Sequence, residues 1–213
     1  MPNWAENRLT ISGEPEVLDE IATLLSTPYV TQHIDHLTNK PVEEQITGDL
    51  LLWNIIAPTD LDAYYAREKP EPTEVEPVGA VIDRIMDKLL TSNHWYEWNV
   101  RNWGTKWDIS DAMVSREPNK LTYSFSSAWS CPEQAINVLA ERFPNVEISL
   151  QGYDLSMDWA LTCEWGNGEQ TFSDETSVSH GFLVEVNGEC EVCDDFYDDA
   201  DRERFGCPST DAK

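Results

Sequence analysis

One group of thiols in this sequence has a spacing that is typical of a metal site. A CxxC pair is followed by a further cysteine, and two other residues are available as a fourth ligand. These residues are Cys190, Cys193, Cys207 and either Cys163 or His180. Four such ligands could hold zinc tetrahedrally, but a paired CxxC motif would indicate zinc strongly and this chain has half of one. We therefore predict ordinary reduced thiols, with no metal and no cofactor.

Histidines and nucleophile motifs give little support for catalysis. His33 and His36 would be neighbours on a helix and could meet one metal ion, but no third ligand is evident from the spacing. Solvated histidines are the simpler interpretation. The sequence contains no Gly-x-Ser-x-Gly, no Walker loop, no dinucleotide glycine fingerprint and no His-Glu-x-x-His. We predict that the chain has no catalytic residues and is not an enzyme.

An acidic segment near the C-terminus is the main candidate binding surface. On a helix, four of its aspartates would form two i,i+4 pairs with Cβ atoms about 5–6 Å apart, a spacing comparable to that of phosphates along a nucleic-acid strand. The predicted partner-binding residues are Asp194, Asp195, Asp198, Asp199, Asp201 and Glu191. They would imitate a phosphate backbone and occupy a basic groove on another protein. The alternative is a solvated, frayed tail.

A tryptophan-rich segment allows two interpretations. Its indoles are Trp95, Trp98, Trp103 and Trp107. They could stack on bases while Arg101 and Lys106 contact phosphates. They could instead fill the space between sheet and helices, with Lys106 packed over an indole. We favour the packing interpretation, because the surrounding charge opposes nucleic acid.

The charge of the chain restricts its partners. Forty Asp and Glu face fourteen Lys and Arg, which gives a net charge of −26, and residues 147–213 alone hold 17 acids and 3 bases. Such a chain repels nucleic acids and anionic lipid and attracts basic surfaces. Solubility or adaptation to high salt are alternative explanations. We find no apolar run of membrane-spanning length and no signal-peptide pattern, so we expect a cytoplasmic protein that contacts no membrane.

Hydrophobic periodicity predicts the order of the secondary-structure elements. Alternation predicts a strand at Arg8–Ser12, and helical spacing after Pro15 places Val17, Ile21, Leu24 and Leu25 on one face. The further predictions are a less regular stretch at 27–49, a strand at 50–56, an exposed connection at 69–77, a helix at 78–90, a strand at 121–125, a helix from 131 to 144, a strand at 146–150, a hairpin formed by 159–164 and 169–173, an added strand at 181–186, and an acidic, helical end piece at 190–205.

This order predicts an α+β fold. Strand, helix, strand, then helix, strand, helix, strand is the ferredoxin-like split βαβ pattern, an antiparallel sheet with helices on one face. We assign residues 1–151 to this domain, with an insertion at about 27–49. Residues 152–213 form an acidic C-terminal hairpin and extension that we expect to pack on the same domain.

Several phrases of the sequence resemble the YubB-like family of phage and plasmid proteins, which has a ferredoxin-like domain and no established activity. The resemblance lies in residues 1–13, 53–58, 95–108 and 128–132, that is, in MPNWAENRLTISG, WNIIAP, WYEW with NWGTKWD, and AWS followed by Pro132. It spans about residues 1–165, and Ala5 stands where the family has Cys. The resemblance implies a fold and a mobile-element origin, and it implies no reaction.

The charge and the implied origin together predict a function. We expect a phage- or plasmid-encoded protein that occupies a basic, nucleic-acid-binding surface of a host protein, such as a CRISPR or restriction component, as a DNA mimic. The alternatives are a structural or assembly module without inhibitory activity, and an enzyme without a recognisable motif.

Overall fold

A computed structural model describes residues 3–34, 41–66, 77–193 and 198–208 of the 213-residue chain. In these ranges the elements are β1 (Trp4–Ser12), α1 (Pro15–Ser26), β2 (Tyr29–Ile34), β3 (Pro41–Ile46), α2 (Leu61–Tyr64), α3 (Val78–Thr91), α4 (Trp95–Asn102), β4 (Ala112–Glu117), β5 (Lys120–Ala128), α5 (Glu133–Arg142), β6 (Glu147–Asp154), β7 (Trp159–Gly166), β8 (Glu169–Thr176), α6 (His180–Asn187) and α7 (Asp199–Arg204). Two 3-10 turns lie at Leu52–Asn54 and Glu191–Cys193.

The main sheet has six strands in the order β4-β5-β1-β6-β7-β8, and every neighbouring pair is antiparallel. Its first four positions, β4-β5-β1-β6, are connected through α1 and α5. This is the split βαβ arrangement, so the predicted fold class is confirmed. The hairpin of β7 and β8 extends the sheet beyond β6.

Alternating side chains give this sheet one buried face. Along β1 the burial alternates from Ala5 to Ser12, and the same period occurs along β5. The buried side chains face α1 and α5. The shared core includes Leu9, Ile11, Leu121, Tyr123, Ile148 and Leu150 from the strands, and Leu18, Ile21, Leu25, Ile136 and Leu139 from the helices.

The strand predicted at 50–56 is wrong, because that run folds into a loop with a 3-10 turn. The Asp108 carboxylate accepts hydrogen bonds from the backbone N–H groups of Leu52 (2.6 Å) and Trp53 (3.3 Å) and from the hydroxyl of Tyr29 (2.9 Å). Burial raises the pKa of Asp108, and these donors act against the shift. The second strand of the unit is instead β4, a mostly exposed edge strand.

The insertion is longer than predicted. It runs from the end of α1 to the start of β4, and its first part is the two-stranded hairpin of β2 and β3, where we predicted irregular structure. The helix predicted at 78–90 is confirmed as α3, although none of its residues is buried. Of the connection predicted at 69–77, only Pro77 belongs to the described residues.

Three predictions concern the C-terminal part of the chain. The hairpin of β7 and β8 is confirmed, and it turns at Asn167 (φ 56°) and Gly168 (φ 82°), which suits the handedness of a tight hairpin. The predicted boundary at residue 151 falls inside β6, which pairs with β7, so the hairpin belongs to the main sheet. The added strand predicted at 181–186 is wrong, because this run is the helix α6.

Capping groups explain why the 181–186 run is helical. The Ser179 side chain accepts a hydrogen bond from the N–H of Phe182 (3.2 Å), and Gly188 ends the helix with a φ of 83°. Leu183 and Val186, three residues apart, form its buried stripe. In the part of the chain that the structure describes, none of the helices is long and apolar enough to cross a membrane.

Candidate functional site

The structure places the six predicted acidic residues in different settings. Asp194 and Asp195 lie outside the described residues. Asp198 has an extended backbone (φ −78°, ψ 173°) and caps α7 by accepting a hydrogen bond from the N–H of Asp201. A continuous helix from 194 to 199, which the i,i+4 pairing requires, is therefore interrupted at Asp198. The role of these residues in partner binding stays a prediction.

Two of the described acids also have partners inside the protein. Glu191 is half-buried and accepts a hydrogen bond from the hydroxyl of Tyr153 over 2.8 Å. Asp198 uses its carboxylate as the α7 cap. Asp201 is half-buried in the first turn of that helix. Glu191 and Asp198 therefore contribute to local structure as well as to charge.

The same segment brings together four potential metal ligands. They are His180, Cys190, Cys193 and Cys207, and their ligand atoms all lie within 4.8 Å of one another. The Sγ atoms of Cys190 and Cys207 are 3.6 Å apart, and Sγ of Cys193 is 3.4 Å from Nδ1 of His180. All four are among the possible ligands given by the sequence analysis, which nevertheless predicts reduced thiols because the sequence contains only one CxxC pair. The chain supplies the other two ligands from residues 10 positions before and 14 positions after that motif.

Short elements with glycine ends position the four ligands. His180 is the first residue of α6, and its backbone N–H bonds to the carbonyl of Phe205 over 2.7 Å. Cys190 follows the α6 cap Gly188, while Cys193 ends the 3-10 turn. Cys207 follows α7 and Gly206, whose φ of 69° turns the chain back toward the cluster. Each ligand therefore lies at the end of an element where the chain changes direction.

A small second core supports this segment. It is formed by Tyr153, Ala160, Val178, Leu183, Val186, Cys190, Val192 and Phe205, so one of the clustered cysteines is itself part of the core. The segment is joined to the open face of the sheet by polar contacts. Arg8 donates to the carbonyl of Val186 (2.6 Å), Gln151 donates to the carboxylate of Glu185 (2.7 Å), and Asn187 donates to the hydroxyl of Tyr153 (2.8 Å). We call residues 178–208 the C-terminal module.

Burial changes the acidity of the clustered thiols. It raises the pKa of Cys207 to about 12, and it also raises the pKa of Cys190. Both thiols therefore hold their protons at neutral pH unless a cation displaces them. Chemically, the cluster can bind a thiophilic metal ion by releasing protons, because the ligating form of cysteine is the thiolate.

The remaining sequence-predicted ligands do not join the cluster. Cys163 lies in β7 inside the main core, and its Sγ is 3.5 Å from the hydroxyl oxygen of Ser173. His180, the other candidate for the fourth position, is the residue that the fold brings in. His33 lies in strand β2, so the helical spacing assumed for the His33–His36 pair is wrong at that residue, and His36 lies outside the described residues.

Two indoles of the tryptophan-rich segment are part of the protein interior. Trp98 and Trp103 are buried in the main core, and Trp103 donates its indole N–H to the carbonyl of Ile56 (2.9 Å). Arg101 donates to the carbonyls of Leu89 and Ser92 (2.8 Å each). The packing interpretation is confirmed for these residues.

Lys106 lies among three aromatic rings, of which Trp107 and Trp129 are exposed and Tyr96 is half-buried. Its ammonium group is 4.8 Å from the ring centroid of Trp107, 4.6 Å from that of Trp129 and 5.8 Å from that of Tyr96. These distances are within the range of cation–π attraction. The predicted packing of Lys106 over an indole is therefore confirmed, and its charge is engaged within the protein.

Comparisons with known proteins found one family model and one solved structure that are similar to this chain. Residues 102–195 match the model of a family described as the ferredoxin-like domain in Api92-like protein. This range contains three of the clustered ligands and ends before Cys207. Among solved structures, the crystal structure of Api92 from Yersinia pseudotuberculosis has a TM-score of 0.49 at 12% sequence identity, over 84% of this chain and 99% of that chain. A search of curated protein sequences found no significant match. The ferredoxin-like assignment of this part of the chain therefore has independent support from a family model.

Proposed function

We propose that this protein binds a basic, nucleic-acid-handling protein of a host cell and occupies its nucleic-acid-binding surface. In this proposal the protein is encoded by a phage or plasmid and inhibits a defence system such as a CRISPR or restriction enzyme. The proposal joins two arguments, the charge of the chain and the mobile-element origin that its sequence motifs imply.

The observation that carries the proposal is the distribution of charge along the chain. Between Arg142 and Arg202 the sequence contains fifteen Asp and Glu and no Lys or Arg. We call residues 143–201 the acidic stretch. Its described residues form the β6–β8 side of the main sheet and continue into the C-terminal module, so their negative charges are gathered on one part of the protein.

The exposed edge of the sheet is part of this stretch. All eight residues of β8 are exposed, among them Glu169, Asp174 and Glu175. Glu147 and Glu164 on the neighbouring strands are exposed as well. Exposed carboxylates that outnumber the nearby cations produce a field that attracts a basic partner and speeds its association.

The negative field also favours competition with nucleic acid for the partner's binding surface over binding to the partner at some other surface. A protein surface that binds nucleic acid carries Lys and Arg positioned for phosphates, and these cations bring phosphate affinity with strong salt dependence. A rigid sheet edge with dense carboxylates competes for the same cations. Binding of this chain and binding of nucleic acid should then be mutually exclusive.

The test begins with capture of partners from a bacterial lysate on the immobilised chain, followed by mass spectrometry. Capture alone does not decide the matter. The captured protein is purified, and its binding to duplex DNA or RNA is measured with and without the chain. The proposal requires that the chain displaces nucleic acid from this protein. A partner that binds both together would support an assembly role and overturn the inhibitor proposal.

A charge variant with a matched control tests the surface. Glu169→Gln, Asp174→Asn and Glu175→Gln together remove three charges from the β8 edge. Glu14→Gln, Glu16→Gln and Glu20→Gln remove three exposed charges from the α1 region on the other part of the protein. We expect displacement of nucleic acid to weaken for the first variant and to persist for the second. Equal effects would indicate a response to net charge without a defined surface.

A further inference from the structure

We propose that His180, Cys190, Cys193 and Cys207 bind one Zn²⁺ ion in a structural site that holds the C-terminal module together. The four ligand atoms lie within 4.8 Å of one another. The site does not depend on the partner proposed above, and nothing in that proposal requires a metal.

The distances in the cluster match those of tetrahedral zinc. With a Zn–S distance of about 2.3 Å and a Zn–N distance of about 2.0–2.1 Å, tetrahedral angles separate two sulfurs by about 3.8 Å and a sulfur from a nitrogen by about 3.6 Å. The Cys190–Cys207 sulfur pair is 3.6 Å apart, and the Cys193–His180 pair is 3.4 Å apart. Two edges of the tetrahedron are therefore already formed.

The ligand types favour a metal over a disulfide. The sulfurs of Cys190 and Cys207 lie well beyond the bond length of about 2.05 Å that a disulfide requires. A disulfide would also give no role to the imidazole that approaches Cys193. Three sulfurs and one imidazole nitrogen match the Cys₃His set found in structural zinc sites.

The same ligands favour zinc over harder cations. Thiolates select soft or borderline metals, whereas Mg²⁺ and Ca²⁺ prefer oxygen ligands. The acidic side chains nearby are not needed as ligands. Four protein ligands complete the coordination shell, which leaves no position for a water or substrate and makes the site structural.

The architecture of the module explains what the metal would do. The two described helices in it are short, α6 with eight residues and α7 with six. Its core contains eight buried residues, two of which, Tyr153 and Ala160, belong to the main sheet. Small cores of this kind usually need a metal or a disulfide for stability. The four ligands join the start of α6, the 3-10 turn and the end of α7.

The surroundings suit the charge of the loaded site. Three thiolates and one Zn²⁺ carry a net charge of −1, so the metal leaves the module acidic. Arg202 donates from Nη2 to the carbonyl of Cys193 over 3.3 Å, which places a guanidinium beside this charge. Such outer contacts orient metal ligands and balance their charge.

Metal content of the full-length chain, purified without chelator, is the first measurement. We expect one zinc per chain by elemental analysis. Changing Cys190→Ser and Cys193→Ser together should abolish zinc. The matched control is Cys131→Ala with Cys163→Ala, which removes two thiols from the main core and should leave zinc at one per chain. Zinc below a tenth of the chain concentration in folded wild-type protein, or equal loss in both variants, would overturn the proposal.

Cobalt binding to the wild-type protein provides a test that does not depend on the folding of the cysteine variants. Co²⁺ added to metal-depleted wild-type protein should give the visible bands of tetrahedral coordination and a sulfur-to-cobalt charge-transfer band, saturating at one equivalent and lost on adding zinc. His180→Cys should keep a tetrahedral spectrum with a stronger charge-transfer band, and His180→Ala should weaken binding by at least tenfold. Octahedral spectra, iron in place of zinc, or a disulfide among these cysteines would each overturn the assignment.

Discussion

Tyr153 donates its hydroxyl hydrogen to the carboxylate of Glu191 over 2.8 Å, although 38 positions separate the two residues. Tyr153 lies in β6 of the main sheet, and Glu191 lies between the two cysteines of the CxxC pair. The same hydroxyl accepts a hydrogen bond from Asn187. The tyrosine thus connects the ferredoxin-like sheet to the segment that holds the metal-ligand cluster, and burial raises its pKa, which keeps it a donor.

Tyr153→Phe should loosen the C-terminal module without unfolding the sheet. The change removes two partly buried hydrogen bonds, and each contributes about 0.5–1.5 kcal/mol. Hydrogen exchange followed by mass spectrometry should show faster exchange in residues 180–193 and unchanged protection in β1. Unchanged exchange in both regions would mean that this hydroxyl does not hold the module.

Asp108→Asn should destabilise the fold by about 1.5–3 kcal/mol. One carboxylate oxygen accepts from the N–H groups of Leu52 and Ile109, and the other accepts from Trp53 and Tyr29. An amide places its NH₂ group against one of these donor pairs whichever way it is turned. Denaturant unfolding measures the loss. Asp111→Asn, an exposed change nearby, is the control and should stay within about 0.5 kcal/mol of wild type.

The central βαβ unit could be predicted because its hydrophobic periods are clear. The alternation around Leu9 and around Tyr123 and the helical spacing of α1 and α5 are strong local signals. Strand β4 could not be predicted in this way. It is an edge strand whose side chains, such as Met113 at 76% exposure, show no buried alternation. The apolar run at 50–56 has the stronger strand pattern. Its conformation is decided instead by hydrogen bonds that its backbone donates to the carboxylate of the distant Asp108.

The C-terminal module illustrates a different difficulty. GFLVEV is a short apolar run, and periodicity does not separate a buried helix from a strand at this length. Ser179 and Gly188 were available as capping signals and would have favoured a helix. The metal-ligand cluster was half visible as a CxxC. Sequence alone does not decide between His180 and Cys163 as the fourth ligand. The structure decides it, because Cys163 in β7 points into the main core.

Alkaline pH should destabilise the protein through the buried thiol of Cys163. Burial raises its pKa to about 11 from an ordinary value of 9.0, so the folded state prefers the neutral thiol. This contribution is present below pH 9 and is lost as the pH rises through about 11. Denaturant unfolding at a series of pH values should show this loss in wild type and a smaller one in Cys163→Ser. Parallel curves for the two proteins would contradict the prediction.

The purified chain should bind neither DNA nor RNA at ordinary salt. Its net charge is −26, and Lys106 and Arg101, the cations of the tryptophan-rich segment, are engaged within the protein. A mobility-shift assay at about 0.1 M salt, where the Debye length is about 10 Å, is the measurement. A tight complex under these conditions would revive base stacking on the exposed Trp107 and Trp129, which Trp129→Ala would then test.

Neutralising the acidic segment should slow association with a basic partner. Asp194, Asp195, Asp198 and Asp199, all changed to Asn, lose four charges with little change of shape. Asn caps a helix about as well as Asp does, so α7 should keep its cap at position 198. Complementary charge acts mainly on the association rate and its salt dependence. We expect the rate to fall several-fold at low salt and its dependence on salt to flatten.

The control for this variant removes the same number of charges elsewhere. Glu14→Gln, Glu16→Gln, Glu20→Gln and Asp62→Asn change exposed residues outside the acidic stretch. If the acidic segment contacts the partner, association should slow more for the four-Asn variant than for the control, and the difference should shrink as salt rises above about 0.15 M. If both variants slow equally, only the net charge matters. If neither slows, the segment is a solvated appendage, and the binding surface must be sought on the β8 edge of the sheet.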